Sequence, residues 1–149
     1  MKRLEFKGTE ETPNIILDKA NNIFEIKGKS FMEDVQSYYE PIISWLETYK
    51  ANPNKETRFV FEVEYINTAS SKMFLDVLKE LEDIHLAGYK VDIIWGFFED
   101  DEDMESTGLE FNEMFDVHFI FKKIWLFIFK TYFVLNRTHL SGFESKSLK

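Results

Sequence analysis

Residues 58–66 read R-F-V-F-E-V-E-Y-I, an apolar–polar alternation with the period of a strand. It puts Phe59, Phe61, Val63 and Tyr65 on one face and Val60, Glu62, Glu64 and Ile66 on the other, and the two glutamates mark the second face as partly wet. Shorter extended runs are predicted at 4–7, 15–18, 23–27, 91–98 and 117–121, with Gly28 ending the third. Asn21 and Asn22 separate two alternating runs and predict a hairpin, because Asn tolerates left-handed backbone angles.

Helical spacing takes over between the later strands. Val35, Tyr38, Tyr39, Ile42, Leu46 and Tyr49 predict a helix over 31–49, with Pro41 inside it forcing a kink or a late start. Phe74, Val77, Leu78, Leu81 and Ile84 or His85 form the stripe of a helix over 69–87, stopped by Gly88. A third helix starts among the acids at 99–103 and carries Met104, Gly108, Phe111 and Phe115 inward. The order is β-β-β-α-β-α-β-α-β. Strand–helix–strand units imply parallel neighbours with right-handed connections, while the opening hairpin implies an antiparallel part. Strands that alternate instead of being apolar throughout need helices on one face only. The predicted class is α/β: a mixed sheet of about five to six strands with three main helices, mostly on one face.

A length of 149 residues, 44% of them hydrophobic and 30% charged, suits a single soluble domain, and 16 phenylalanines predict an aromatic core. The net charge of −9 argues against nucleic acid and against anionic lipid as partners, since both need Lys and Arg clusters. The absence of cysteine excludes disulfides, thiol catalysis and cysteine-held metals, and fits a reducing cytoplasm. The N-terminus M-K-R-L-E-F-K-G has no apolar signal-peptide core behind it. Residues 124–135, I-W-L-F-I-F-K-T-Y-F-V-L, are apolar but too few for a bilayer span, which needs about 20. They read as a strand or helix that covers a hydrophobic edge or pairs with another chain, as in a homodimer. The last ten residues, 140–149, are polar and expected to fray.

Candidate chemistry concentrates at residues 67–72, N-T-A-S-S-K, where the best strand hands over to a helix. An Asn or Thr at such a corner accepts one of the orphan amide hydrogens of the helix start, worth about 1 kcal/mol, and a cap is the commoner explanation for it. The same corner also favours an anion. The helix N-terminus is partially positive, a phosphate on Thr68 would add about −1.5 to −2 charge there, and Lys72 lies one turn on. The site also falls at the carboxyl end of a central strand, where open α/β sheets carry functional groups. These arguments permit phosphorylation without selecting it.

Other candidates are weaker. The run E-D-D-E-D at 99–103, with Glu105 beyond, could hold a hard cation, but it lacks EF-hand spacing and fits a helix start or a patch for a basic partner better. His85, His118 and His139 do not cluster as metal ligands. Trp45, Trp95 and Trp125 read as core or interface residues, and no G-x-S-x-G, Walker or G-x-G-x-x-G motif occurs.

Taken together, E-F-K-G-T-E-E-T-P, S-Y-Y-E-P-I-I-S-W-L-E-T-Y, N-P-N-K-E-T, Y-I-N-T-A-S-S-K and E-D-D-E-D-M resemble the SiaC family of bacterial regulatory phosphoproteins, over residues 4–122. The N-T-x-S-S/I-K motif is the most specific part. The resemblance implies a STAS-like fold and a substrate protein in place of an enzyme, with no cofactor and no metal. It implies a threonine, here Thr68, phosphorylated by a dedicated protein kinase and dephosphorylated by a PP2C-type phosphatase. It further implies that the unphosphorylated form binds and activates a diguanylate cyclase that controls cyclic-di-GMP and biofilm formation. Asn67, Ser70, Ser71 and Lys72 would shape the surface around Thr68, with Ser70 and Ser71 as secondary acceptors. Residues 123–149 form an aromatic, then polar, tail outside the family pattern. Two alternatives stand beside this reading: a STAS-type partner-switching module resembling anti-sigma antagonists, and an acidic-cluster metal-dependent hydrolase, for which the sequence offers neither a general base nor a substrate pocket.

Overall fold

The computed structural model describes residues 1–125 of the chain. Its six strands lie in chain order across a single sheet: β1 (Leu4–Phe6), β2 (Asn14–Asp18), β3 (Ile23–Ser30), β4 (Glu56–Ile66), β5 (Lys90–Phe98) and β6 (His118–Ile124). β1, β2 and β3 pair antiparallel, and β3 to β6 pair parallel. The crossovers are α1 (Val35–Lys50), α2 (Thr68–Leu86) and α3 (Glu102–Met114). Successive parallel strands that advance in one direction through right-handed connections put all their helices on one side. Ring contacts agree: Tyr49 of α1 meets Phe24, Phe74 of α2 meets Phe61, and Phe111 of α3 meets Trp95. Phe24, Phe59, Phe61 and Trp95 share one sheet face and are essentially inaccessible to water, so the core is the aromatic layer expected.

Local chemistry explains the boundaries. Asn22 closes the β2–β3 hairpin at φ 56°, and the Asp18 carboxylate braces the turn by accepting from the Asn21 amide at 3.1 Å and from its side chain at 2.7 Å. Helix α1 begins at Val35, later than the periodicity predicts, because Asp34 caps it by accepting from the Ser37 amide at 3.1 Å; Pro41 lies inside. Gly88 adopts φ 98° just beyond α2, as a helix stop requires. Trp95 is sealed beneath α3. Its indole N–H donates to the Met104 carbonyl at 2.9 Å, and the absence of a side chain at Gly108 lets the helix approach the ring.

Four expectations need correction. Gly28 does not end β3. At φ 110° it absorbs a register shift between Gly28 and Lys29, and the strand continues to Ser30. Phe115 lies beyond α3 in extended backbone and is only partly buried against the core. Tyr65, predicted inward with Phe59, Phe61 and Val63, is 53% exposed, because Gly28 pairs with Val63 and Lys29 with Tyr65, which leaves Glu64 as an extra residue in β4 and breaks the alternation there. β6 runs from His118 to Ile124, past the end at 121 predicted for the last strand. Of the apolar stretch 124–135, the part beyond Trp125 lies outside the described residues, as do His139 and the polar end 140–149. No helix among the described residues is long and apolar enough to cross a membrane.

Candidate functional site

Strand β4 ends at Ile66, and α2 begins at Thr68. Asn67 makes the corner between them. Its backbone is extended (φ −86°, ψ 172°), its amide donates to the Ser30 carbonyl at 3.1 Å, its own carbonyl accepts from Ser71 at 2.9 Å, and its side-chain oxygen accepts from the Ser70 amide at 2.8 Å. Asn67 therefore performs the capping. Thr68, the first residue of the helix, is left exposed, and its hydroxyl makes no hydrogen bond among the described residues. Residues at the first helical positions have no intrahelical acceptor for their amides, so an anion on Thr68 would stand beside free donors and the positive end of a 19-residue helix.

Ser70 has a different role from its neighbours. It is fully buried, and its hydroxyl accepts from Ser30 at 2.8 Å, while Ser30 bonds Tyr39 at 2.8 Å. Burial pushes the Tyr39 phenol well above the usual tyrosine range, so it stays protonated and able to donate. The chain Ser70–Ser30–Tyr39 ties the start of α2 to the end of β3 and to α1 from below. The Gly28 shift makes this tie available by extending β3 to Ser30. Ser70 thus lies beneath the surface it was expected to help form, out of reach of a modifying enzyme. Nothing in the sequence pattern marks Ser30 and Tyr39 as its partners, since both belong to earlier elements far away in the chain.

Asn67, Thr68, Ser71 and Lys72 line one wall of a cleft of about 420 Å³, and Tyr65 and Ile66 contribute where β4 ends. The facing wall comes from α3 and its cap: Asp101, Asp103, Thr107 and Glu110. The acidic run is therefore a helix start. The Asp101 side chain accepts from the Met104 amide at 3.1 Å, and Glu102, Asp103 and Glu105 fill the first turn. Among the described residues, no group of three or more His, Asp or Glu side chains could hold a metal ion. With Glu64 also on the rim, Lys72 is the lone cation among the described residues lining the cleft, against four carboxylates. Tyr65 meets Phe31 edge-on, ring centroids 5.6 Å apart, with the two rings 53% and 36% exposed. An exposed aromatic pair beside a polar cleft is the composition of a protein-recognition surface. The cleft offers the exposed Thr68 hydroxyl, the half-buried hydroxyls of Ser71 and Thr107, one lysine and an acidic wall.

His118 opens β6 and bonds the buried Asp92 carboxylate at 2.8 Å, a structural pair on the opposite side of the sheet from the helices; His85 lies within α2.

Comparison with known proteins agrees with this architecture. The pattern of the SiaC family regulatory phosphoproteins matches residues 6–124. An uncharacterised protein of Pseudomonas aeruginosa strain UCBPP-PA14 is 28% identical over 113 residues, spanning 76% of this chain and 90% of the relative. The crystal structure of apo-SiaC from Pseudomonas aeruginosa superposes with a TM-score of 0.75 at 27% identity, covering 82% of this chain and 99% of that one. A chain from the crystal structure of the diguanylate cyclase SiaD in complex with its activator SiaC, also from Pseudomonas aeruginosa, superposes at 0.77 and 26% identity, covering 81% and 99%. The chain belongs to the SiaC family of regulatory phosphoproteins.

Proposed function

We propose that this protein is a non-enzymatic cytoplasmic switch whose state is set by phosphorylation of Thr68. The observation that carries the reading is the division of labour at the corner: Asn67 caps α2, so the Thr68 hydroxyl is exposed and uncommitted. A phosphate there gains the helix N-terminus and Lys72, and meets Asp101, Asp103, Glu64 and Glu110 in the same cleft as like charges. Modification replaces a neutral, hydroxyl-rich wall by an anion in the middle of the recognition surface, and a partner that presents acids or apolar groups to that wall is expelled. Asn67, Ser71 and Lys72 border the contact, and Ser70 supports it from below.

The partner of the unphosphorylated form is a diguanylate cyclase, a reading supported by the solved complex of a related SiaC with the cyclase SiaD. A protein kinase adds the phosphate and a PP2C-type phosphatase removes it, so that the pair governs cyclic-di-GMP and through it biofilm formation. The test combines intact-mass and peptide mass spectrometry after kinase treatment with binding to a SiaD-type cyclase. Wild type gains one phosphate, on Thr68, and then loses cyclase binding; Thr68→Ala gains none and still binds. A phosphate found elsewhere, or a phosphoprotein that binds as well as the unmodified one, overturns the reading.

A further inference from the structure

Helices α1 and α2 share a groove that the Thr68 cleft does not use. It encloses about 400 Å³ and is lined by Glu40, Ile43, Ser44 and Glu47 from α1 and by Met73 and Asp76 from α2. Ile43 and Met73 are half-buried against the core and give the groove an apolar floor, while Glu40, Glu47 and Asp76 stand exposed on its rim. The Thr68 cleft draws on Thr68, Ser71, Lys72 and Leu75 of α2, so the two hollows open on different flanks of that helix.

The charges of the two helices do not balance at this groove. Their basic residues are Lys50, Lys72 and Lys79, and each is engaged elsewhere. Lys50 pairs with Glu80 at 2.7 Å and with Asp83 at 3.1 Å, Lys79 pairs with Asp83 at 2.9 Å and with Glu82 at 3.1 Å, and Lys72 lines the Thr68 cleft. Glu40, Glu47 and Asp76 are the carboxylates of α1 and α2 left without an ion pair among the described residues, and all three stand on the groove rim. A second copy of this chain would bring a net charge of −9 and the same acidic rim, and nucleic acid or anionic lipid would bring further negative charge. A basic protein segment is the occupant whose charge matches. Its shape follows from the spacing: Glu40 and Glu47 lie about two turns, or roughly 10 Å, apart along α1. A helix laid beside α1 repeats its own side chains at that interval, and an apolar floor between two helices takes the apolar stripe of an amphipathic one. Met73, unbranched and adaptable, suits such a contact. We propose that the α1–α2 groove docks a basic amphipathic helix of a partner protein, with an apolar side chain over Ile43 and Met73 and Lys or Arg side chains opposite Glu40, Glu47 and Asp76. The groove serves that partner whether or not Thr68 is the phosphorylation site.

The probe is a synthetic peptide of about five helical turns, with leucines on one stripe and lysines two turns apart on its flanks. A second peptide has the same composition with the leucine spacing scrambled. Both are titrated into the isotope-labelled full chain and followed by backbone amide shifts and by fluorescence anisotropy. The amphipathic peptide is expected to move amides of 36–47 and 73–76, and to bind more tightly than the scrambled one. The groove variant Glu40→Gln/Glu47→Gln/Asp76→Asn should weaken it about tenfold, the sum of three exposed charge pairs. The control Glu10→Gln/Glu99→Gln/Glu113→Gln removes as many exposed carboxylates away from the groove and should bind close to wild type. Circular dichroism confirms that both variants are folded. Equal weakening by the two variants would reduce the effect to general charge attraction and overturn the proposal. Equal affinity for the two peptides, shifts centred on the Thr68 cleft, or no saturable binding would overturn it as well. Self-association of the free chain that the groove variant abolishes, seen by light scattering, would assign the groove to a second copy, with the same consequence.

Discussion

The side-chain oxygen of Asn67 accepts the Ser70 amide at 2.8 Å, and Thr68, lying between them in the chain, is left out of that bond. Cap and candidate acceptor are thus adjacent but separate residues, which makes them separable by mutation.

Asn67→Ala removes the cap without touching the Thr68 hydroxyl. The expected cost is about 1 kcal/mol, a fall of a few degrees in melting temperature. Calorimetry measures the loss. Thr68→Ala, whose hydroxyl bonds nothing among the described residues, should melt within about 0.5 kcal/mol of wild type, as surface changes do. Equal destabilisation by both would mean that Thr68 shares the capping.

Ser70→Ala should lower stability by about 1 kcal/mol, because Ser30 loses one hydrogen-bond partner while keeping Tyr39. Its phosphate uptake should equal that of wild type, since the Ser70 hydroxyl is fully buried. A reduced phosphate count by intact mass would contradict that burial.

Gly108→Ala tests the packing of α3. A Cβ there would stand 2.4 Å from Trp95 Cδ1 and Nε1, in a core that cannot yield the ring cheaply. In an open helix this change would stabilise by up to about 1 kcal/mol. Here the sign should reverse, with a loss of about 1–3 kcal/mol and a changed near-ultraviolet dichroism from Trp95. A denaturant midpoint that rises would refute the close approach.

Acid should destabilise the fold in a defined window. The Asn21 side chain holds the Asp18 carboxyl below its usual range, the Ser37 amide does so for Asp34, the Asp116 amide for Glu82 and the Lys79 ammonium for Asp83. Groups depressed in the folded state contribute stability that is complete above their unfolded values, near 4, and is lost as pH falls through the lower folded values. Melting temperature should therefore change little from these groups between neutrality and about pH 5, and fall below about pH 4. Asp34→Asn, which keeps a capping oxygen but does not titrate, should flatten part of that fall in melts taken across the acid range.

Much of this architecture was legible because it depends on neighbours in the chain. Periods of two and of three to four residues mark where side chains must be buried. Asn21–Asn22 and Gly88 stand where backbone angles are forced, and Asp101 caps the helix its acidic run predicted. The family resemblance rested on similarly local motifs, N-T-A-S-S-K above all. The errors fall where distant parts of the chain meet. Gly28 punctuates a strand in one dimension but serves as a bulge in three, because β4 alongside it supplies the pairing that carries β3 on to Ser30. Tyr65 emerges from the core, because pairing with β3 leaves Glu64 as an extra residue in β4 and the alternation slips at that point. Ser70 and Ser71 are equivalent hydroxyls in sequence; only the packing of α2 on β3 and α1 buries one and leaves the other on the cleft wall. The acids of α3 face Thr68 because right-handed crossovers place neighbouring helices side by side, a relation between distant residues that no local pattern encodes.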